Sequence, residues 1–103
     1  MNKKLIDVTT RQILRGYCLQ IIQVSEPYGL GADVIKSASD KTNLATSKDE
    51  IISACNYLKD KGLVQTKNIS NKQLGIECDI LHLTPHGTDV LEGTAVVDGI
   101  VIT

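Results

Sequence analysis

Apolar residues recur every three or four positions over residues 9–24, which predicts a first helix. Thr9 is expected to cap this helix, with Gln12 reaching back from three positions on. Glu26-Pro27 is expected to end it, because the residue before a proline disfavours helical geometry. The predicted apolar stripe consists of Ile13, Leu14, Tyr17, Cys18, Ile21 and Ile22.

Two more helices are predicted downstream. A short one covers about residues 31–39, with a buried side formed by Val34, Ile35 and Ala38. The other lies in SKDEIISACNYLKDKGLV, residues 47–64. Ser47 and Glu50 match the capping-box pattern at its start, and Gly62 is expected to stop it. Its apolar face is Ile51, Ala54, Cys55 and Leu58.

The rest of the chain predicts a hairpin, a short helix and a tail. Residues 63–68 and 74–83 are expected to form strands around a polar turn at 69–73. In the second strand the alternating apolar positions are Leu74, Ile76, Cys78 and Ile80. Thr84-Pro85 predicts the start of a helix over about residues 85–92 that ends at Gly93. The apolar tail TAVVDGIVIT is expected to pack against something, since a bare strand-like segment favours association.

This order of elements resembles the winged helix-turn-helix superfamily over about residues 9–92. The resemblance is carried by SKDEIISACNYLKDKGLV and by LTPHGTDVLEGT, residues 83–94. The second segment also looks like the C-terminal part of small winged-helix proteins of Mu-like prophages. The implied fold class is α+β: a winged helix-turn-helix with three helices, a two-stranded antiparallel wing and a short C-terminal helix. The implied division is a winged-helix domain at residues 1–93 and an extended tail at 94–103.

Length and composition narrow the class of protein. The 103 residues suffice for one domain. Phe and Trp are absent, which argues against a base-stacking surface for single strands. No segment has the apolar length of a membrane span, and the N-terminus does not resemble a signal peptide. The three cysteines, odd in number and widely spaced, are interpreted as reduced and mostly buried, so a cytoplasmic protein is expected.

Charge is distributed unevenly along the chain. Residues 1–72 hold all 11 Lys and Arg and 7 of the 12 acidic residues, for a net charge of +4. Residues 73–103 hold the other 5 acidic residues and no Lys or Arg, for a net charge of −5. One side of the protein is therefore expected to be basic enough to meet a phosphate backbone.

The winged-helix resemblance implies that the third helix enters the major groove of double-stranded DNA and that the wing meets the backbone. Carried over by position, the contacts at the helix start are Thr46, Ser47 and Lys48. Ser53 and Asn56 become the candidate base readers, and the wing contacts are Lys67, Ser70, Asn71 and Lys72. A homodimer is expected, and neither a cofactor, a metal nor a small-molecule ligand is implied.

A second interpretation is a winged helix that contacts proteins and not DNA. At about 100° per residue, Asp49 and Asp60 share the outer row of the third helix with Ser53 and Asn56. Lys48 and Lys59 lie off to one flank, with Ile52 beside them. A continuous positive strip from this helix to residues 67–72 would favour the DNA-binding interpretation. An acidic or apolar strip would favour the interpretation that the protein binds another protein.

Enzyme activity is not expected. His82 and His86 are four residues apart, but the intervening Thr84-Pro85 prevents the common helix that a two-histidine metal motif requires.

Overall fold

The computed structural model describes residues 3–42, 44 and 46–102, with side chains from residue 8 onward. Within these residues, four helices and one two-stranded antiparallel sheet follow one another in the predicted order. Their bounds are α1 Lys3–Ser25, α2 Ala32–Ser39, α3 Lys48–Asp60, β1 Val64–Asn71, β2 Ile76–Leu83 and α4 Pro85–Glu92.

The first helix begins earlier than predicted. Thr9 lies inside α1, so its predicted role as the cap is wrong. No Pro or Gly occurs between Lys3 and Thr9, so nothing local stops the helix from extending backward. The predicted end is confirmed, because α1 stops at Ser25 directly before Glu26-Pro27.

The core is aliphatic and lies between α1, α2, α3 and the base of the sheet. From α1 it takes Leu14, Cys18, Leu19 and Ile22, of which Leu19 was missing from the predicted stripe. Leu19 is buried because α1 packs against β2 and α4 as well as α3. In α2, Ile35 is fully buried, but Val34 is 55% exposed, so the prediction that Val34 is buried is wrong.

The third helix matches its prediction closely. The Glu50 amide donates to Ser47 Oγ at 3.2 Å, and the Ser47 amide donates to Glu50 Oε1 at 3.5 Å, which confirms the capping box. All four residues of the predicted face are buried: Ile51, Ala54, Cys55 and Leu58. Gly62 follows with φ of 76°, a left-handed conformation that turns the chain into β1.

The hairpin is a longer and more exposed wing than predicted. Its register runs from Val64 opposite Leu83 to Asn71 opposite Ile76, and the turn occupies residues 72–75. Only its base is buried, at Val64 and Leu81. Leu30 adds one bridge to Leu81 through reciprocal hydrogen bonds of 3.2 and 2.8 Å, a contact that the sequence did not reveal.

The alternating residues of β2 do not face the core. Leu74, in the turn, is 69% exposed and Ile76 is 46% exposed, and Cys78 is exposed as well. On the opposite face of β2, Leu81 at the base of the hairpin is the one buried residue. The expectation of mostly buried cysteines therefore holds for Cys18 and Cys55 and is wrong for Cys78.

The short helix α4 begins and ends as predicted. Thr84 Oγ1 accepts from the Gly87 amide at 3.1 Å and donates to the Gly62 carbonyl at 2.6 Å. Pro85 occupies the first turn, and Gly93 ends the helix with φ of 83°. The cap thus also holds α4 against the end of α3.

Residues 94–102 return across α1 and α3 without forming a strand. The Val101 amide donates to the Gln12 carbonyl at 3.1 Å, and Arg15 Nη1 donates to the Gly99 carbonyl at 3.0 Å. The Arg15 guanidinium also stacks 3.7 Å from the centre of the Tyr57 ring, whose hydroxyl donates to the Asp98 carbonyl. The tail is therefore covered by packing against the helices, and not by strand pairing.

None of the helices described is both long and apolar enough to cross a membrane.

Candidate nucleic-acid interface

The outer side of α3 and the wing form the walls of an open groove of about 380 Å³. Gly31, Ala32 and Asp33, where α2 begins, also line the groove. From α3 the groove is lined by Lys48, Ile52, Cys55 and Asn56, and from the wing by Thr66, Glu77, Cys78, Asp79 and Leu81. The protruding wing and the exposed side of α3 are thus close enough to contact one partner together.

The residues predicted at the start of α3 lie together, but two of them, Ser47 and Lys48, already have partners within the chain. The Ser47 hydroxyl accepts from the Glu50 amide, so it is committed to the cap. Lys48 Nζ lies 2.7 Å from Asp33 Oδ1, and this contact raises the pKa of Lys48 above its ordinary value. Thr46 is half-buried in the connection before the cap.

The two candidate base readers are both exposed but lie toward different sides of α3. Asn56 lines the groove beside the wing, next to Ile52, which is 39% exposed. Ser53 lines a separate cavity of about 270 Å³ between α3 and α1, with Arg11 and Arg15 among its walls. A ligand that follows the middle of the outer row would meet both.

The predicted wing contacts are distributed over two faces and the tip of the hairpin. In the register, Lys67 stands opposite Ile80 and Ser70 opposite Glu77. Because side chains alternate along a strand, Lys67 and Ser70 point to opposite faces. Lys72 lies in the turn itself, where Asn71 Oδ1 accepts from the Leu74 amide at 3.1 Å. All four predicted residues are exposed.

The groove itself is acidic. Asp33, Glu77 and Asp79 line it against one lysine, Lys48. Asp79 accepts a hydrogen bond of 2.9 Å from Asn68. The positive strip that would run from α3 to residues 67–72 is therefore interrupted within the groove. The alternation that places Glu77 and Asp79 on the same face as Leu81 was the signal for this feature in the sequence.

The histidines do not form a common site. His82 Nδ1 lies 3.3 Å from Glu26 Oε2, while Glu26 Oε1 accepts from the Leu83 amide at 2.6 Å. Glu26 therefore fastens the end of α1 to β2. His86 is exposed on the first turn of α4. Over the described part of the chain, no cluster of three or more His, Cys, Asp or Glu side chains could hold a metal ion.

Comparison with solved structures gives the class of fold. The chain is similar to a PadR family transcription regulator from Clostridium difficile R20291, with a TM-score of 0.63 and 17% sequence identity over 76% of this chain and 81% of that one. It is also similar to a PadR-like transcription factor from Bacteroides fragilis, with a TM-score of 0.61 and 19% identity over 77% of this chain and 74% of that one.

These similarities establish a winged-helix fold, with α3 in the position of the third helix and β1–β2 as the wing. Because the sequence identities are low, the similar structures define the fold alone. The function has to be argued from the residues of the site. No family model matches the sequence, and the comparison with curated proteins gives no match either.

Proposed function

We propose that the chain binds double-stranded DNA as a transcription regulator, with α3 in the major groove and the tip of the wing against the backbone. The observation that carries the proposal is the exposed polar pair Ser53 and Asn56 on a rigidly capped helix beside a protruding hairpin. The helix is held from behind by its fully buried residues Ile51 and Leu58, so its outer row is presented in a fixed orientation. The similar structures of the same fold are themselves described as transcription regulators.

Within this proposal, each predicted residue takes a role that follows from its position. Asn56 is suited to a two-pronged hydrogen bond with adenine, a contact that discriminates by about 1–3 kcal/mol. Lys72 at the tip and Lys67 on the outer face of the wing meet phosphates. Lys48, held by Asp33, orders the start of α3 and reaches a phosphate only if it leaves that ion pair.

The finer parts of the proposal concern assembly and origin. We propose a homodimer, because paired reading helices meet half-sites one helical turn apart. The protein would act in the cytoplasm as a bacterial or prophage regulator, the latter from the likeness of residues 83–94 to the winged-helix proteins of Mu-like prophages. The division into a domain at 1–93 and a tail at 94–103 also stays a proposal.

The test is fluorescence anisotropy on duplexes selected from a random pool, at two salt concentrations. Replacing both Lys67 and Lys72 by Ala should weaken binding to all duplexes alike and reduce the slope of log K against log salt by about 1 per lost contact. Asn56→Ala should instead lower the preference for selected over random duplexes by about 5- to 160-fold, as expected for about 1–3 kcal/mol.

Lys61→Ala provides the matched control. Lys61 is exposed at the end of α3, where its ammonium lies 5.5 Å from the Tyr57 ring, on the side of the tail. This variant removes one positive charge outside the proposed interface, against two inside it in the double variant, and the salt slope should not change. A folded protein that binds no duplex at low salt would contradict the proposal.

A second candidate, a winged helix that docks a protein, is favoured by one specific observation. The groove beside α3 presents Asp33, Glu77 and Asp79, which repel phosphates and attract cationic side chains. Replacing Glu77 by Gln and Asp79 by Asn separates the two functions. DNA binding should strengthen in this double variant, whereas docking of a basic protein should weaken.

A further inference from the structure

The cavity that Ser53 borders has the size of a small-molecule site. Its volume is about 270 Å³, and each of the residues that line it belongs to α1 or α3. At the roughly 30 Å³ that a molecule occupies in liquid water, this space holds about nine non-hydrogen atoms. The cavity is therefore large enough for a small metabolite and too small for a peptide or a nucleotide.

Hydrogen-bond donors from both helices line this cavity. Arg11 and Arg15 lie on its α1 side, and because they are four residues apart they share one face of that helix. Thr10 and Ser53 add two hydroxyl groups, and both residues are exposed. These four side chains give the cavity a polar wall with two positive charges.

One of the two arginines is already held in place. Arg15 Nη1 donates to the Gly99 carbonyl at 3.0 Å, and the guanidinium lies 3.7 Å from the centre of the Tyr57 ring. A guanidinium carries five N–H donors, of which this hydrogen bond uses one. Because the side chain is fixed before a ligand arrives, less conformational entropy is lost on binding.

The charges around the cavity favour an anion. Glu50 is the one acidic residue among the described residues that line it. Glu50 Oε1 accepts hydrogen bonds from the amide and the hydroxyl of Ser47, so this carboxylate is already engaged in the cap. It also lies in the first turn of α3, where the helix dipole offsets a negative charge. Two arginines therefore face one carboxylate that is already bound.

The remaining lining residues are apolar. Leu14 and Ala54 are buried, with 4% and 5% of their surfaces exposed. Inorganic phosphate would use the cationic wall alone, whereas a carboxylate on a short hydrocarbon chain would use both the wall and this apolar surface. The carboxylate group also matches the planar fork of an arginine side chain in a two-pronged pair.

We propose that the cavity between α1 and α3 binds a small aliphatic carboxylate. The carboxylate group lies against Arg11 and Arg15, and the hydrocarbon chain packs on Leu14 and Ala54. This binding does not rest on contact with DNA and is tested without DNA.

The experiment is a titration of the isotope-labelled full chain with hexanoate, followed by the amide chemical shifts in NMR spectra. Hexanoate should shift the amides of the residues that line the cavity, in a saturable manner. Hexanamide has the same shape without the charge, and inorganic phosphate has the charge without the hydrocarbon chain. Each should bind at least about 10-fold more weakly than hexanoate. Equal binding of either probe, shifts confined to the groove beside the wing, or no saturable shift would overturn the proposal.

Variants of the two arginines test the cationic wall. Arg11→Gln changes an exposed residue and should weaken hexanoate binding at least about 10-fold. Arg15→Lys keeps the charge but removes the planar fork, so it should also weaken binding. Lys59→Gln is the matched control, because Lys59 is exposed on the side of α3 opposite the cavity. It should bind hexanoate as tightly as the unchanged protein, and a loss equal to that in Arg11→Gln would contradict the proposal.

A variant that fills the cavity tests its location. Ser53→Leu places a larger apolar side chain at an exposed position of the lining, so it should prevent hexanoate binding while the protein stays folded. Unchanged affinity in this variant would show that the carboxylate binds elsewhere. If Arg15→Lys releases the tail and disturbs the fold, Arg11→Gln and Ser53→Leu still decide the proposal.

Discussion

Gly16→Ala is expected to destabilise the protein, although the same change stabilises most helices. Alanine is favoured over glycine by about 1 kcal/mol in an exposed helix interior. Here a Cβ at position 16 would lie 1.8 Å from the carbonyl oxygen of Val101 and 2.8 Å from its carbon. Both atoms belong to the backbone, so the tail must lift away from α1.

The cost can be worked from the contacts that hold the end of the tail. Lifting it removes the hydrogen bonds from Val101 to Gln12 and from Arg15 to Gly99, each contributing about 0.5–1.5 kcal/mol. It also exposes part of the half-buried Ile100 side chain. Exposing this apolar surface to water costs about 1 kcal/mol of stability. These losses come to about 2–4 kcal/mol. After the helix gain of about 1 kcal/mol, the variant should be less stable by about 1–3 kcal/mol.

Urea unfolding followed by circular dichroism measures this difference, and a shortened chain provides the control. In a protein ending at Asp98, the three atoms nearest to the new Cβ are gone, since they belong to Val101 and Ile102. Gly16→Ala should then stabilise by about 0.5–1 kcal/mol. The reasoning is refuted if the substitution has the same sign in both chains.

Three other expectations concern the caps and the link between α1 and β2. Ser47→Ala should cost about 1 kcal/mol of stability by loss of the α3 cap, measured by urea unfolding. The pKa of Glu50 lies below its ordinary value because the hydroxyls of Thr46 and Ser47 lie beside its carboxylate, so Glu50→Gln should destabilise at neutral pH. That difference should vanish as the pH falls through the lowered pKa, and a difference that persists once the Glu50 carboxyl is protonated would contradict it. Glu26→Ala should cost about 1–3 kcal/mol because the Leu83 amide loses its acceptor, whereas Glu26→Gln should recover most of that loss in the same assay.

The elements of the fold were predictable where local signals and periodicity agreed. In α3 the capping residues, the apolar stripe and Gly62 all indicate the same helix, and each is confirmed. At Thr9 a capping pattern was present, but no residue directly before it breaks a helix, so the longer helix formed instead. A short motif predicts a helix start only when the preceding residues disfavour continuation.

The faces of the elements were harder to predict than the elements themselves. The apolar positions that alternate along β2 include Ile76 and Cys78, but the buried residue is Leu81. The reason is tertiary, because Leu30 pairs with Leu81 and fixes that end of β2 against the core. Sequence alone does not reveal a bridge between residues 51 positions apart.

In the candidate site, too, positions on a single helix could be predicted, whereas contacts between elements could not. Ser53 and Asn56 were placed on the outer row of α3 by angular spacing alone, and both are exposed. That Lys48 is paired with Asp33 depends on how α2 packs against α3 and could not be predicted from either helix. The acidic groove likewise forms only when the wing is folded back beside α3.

The wing joins a fixed base to a solvent-exposed end. Its base is held by Val64, Leu81 and the bridge to Leu30, while every residue from 65 to 79 is exposed. Substitutions in that outer part change little buried area, so they should be nearly neutral for folding. The binding surface of the wing could therefore change during evolution, one residue at a time, while the fold of the rest of the protein stays intact.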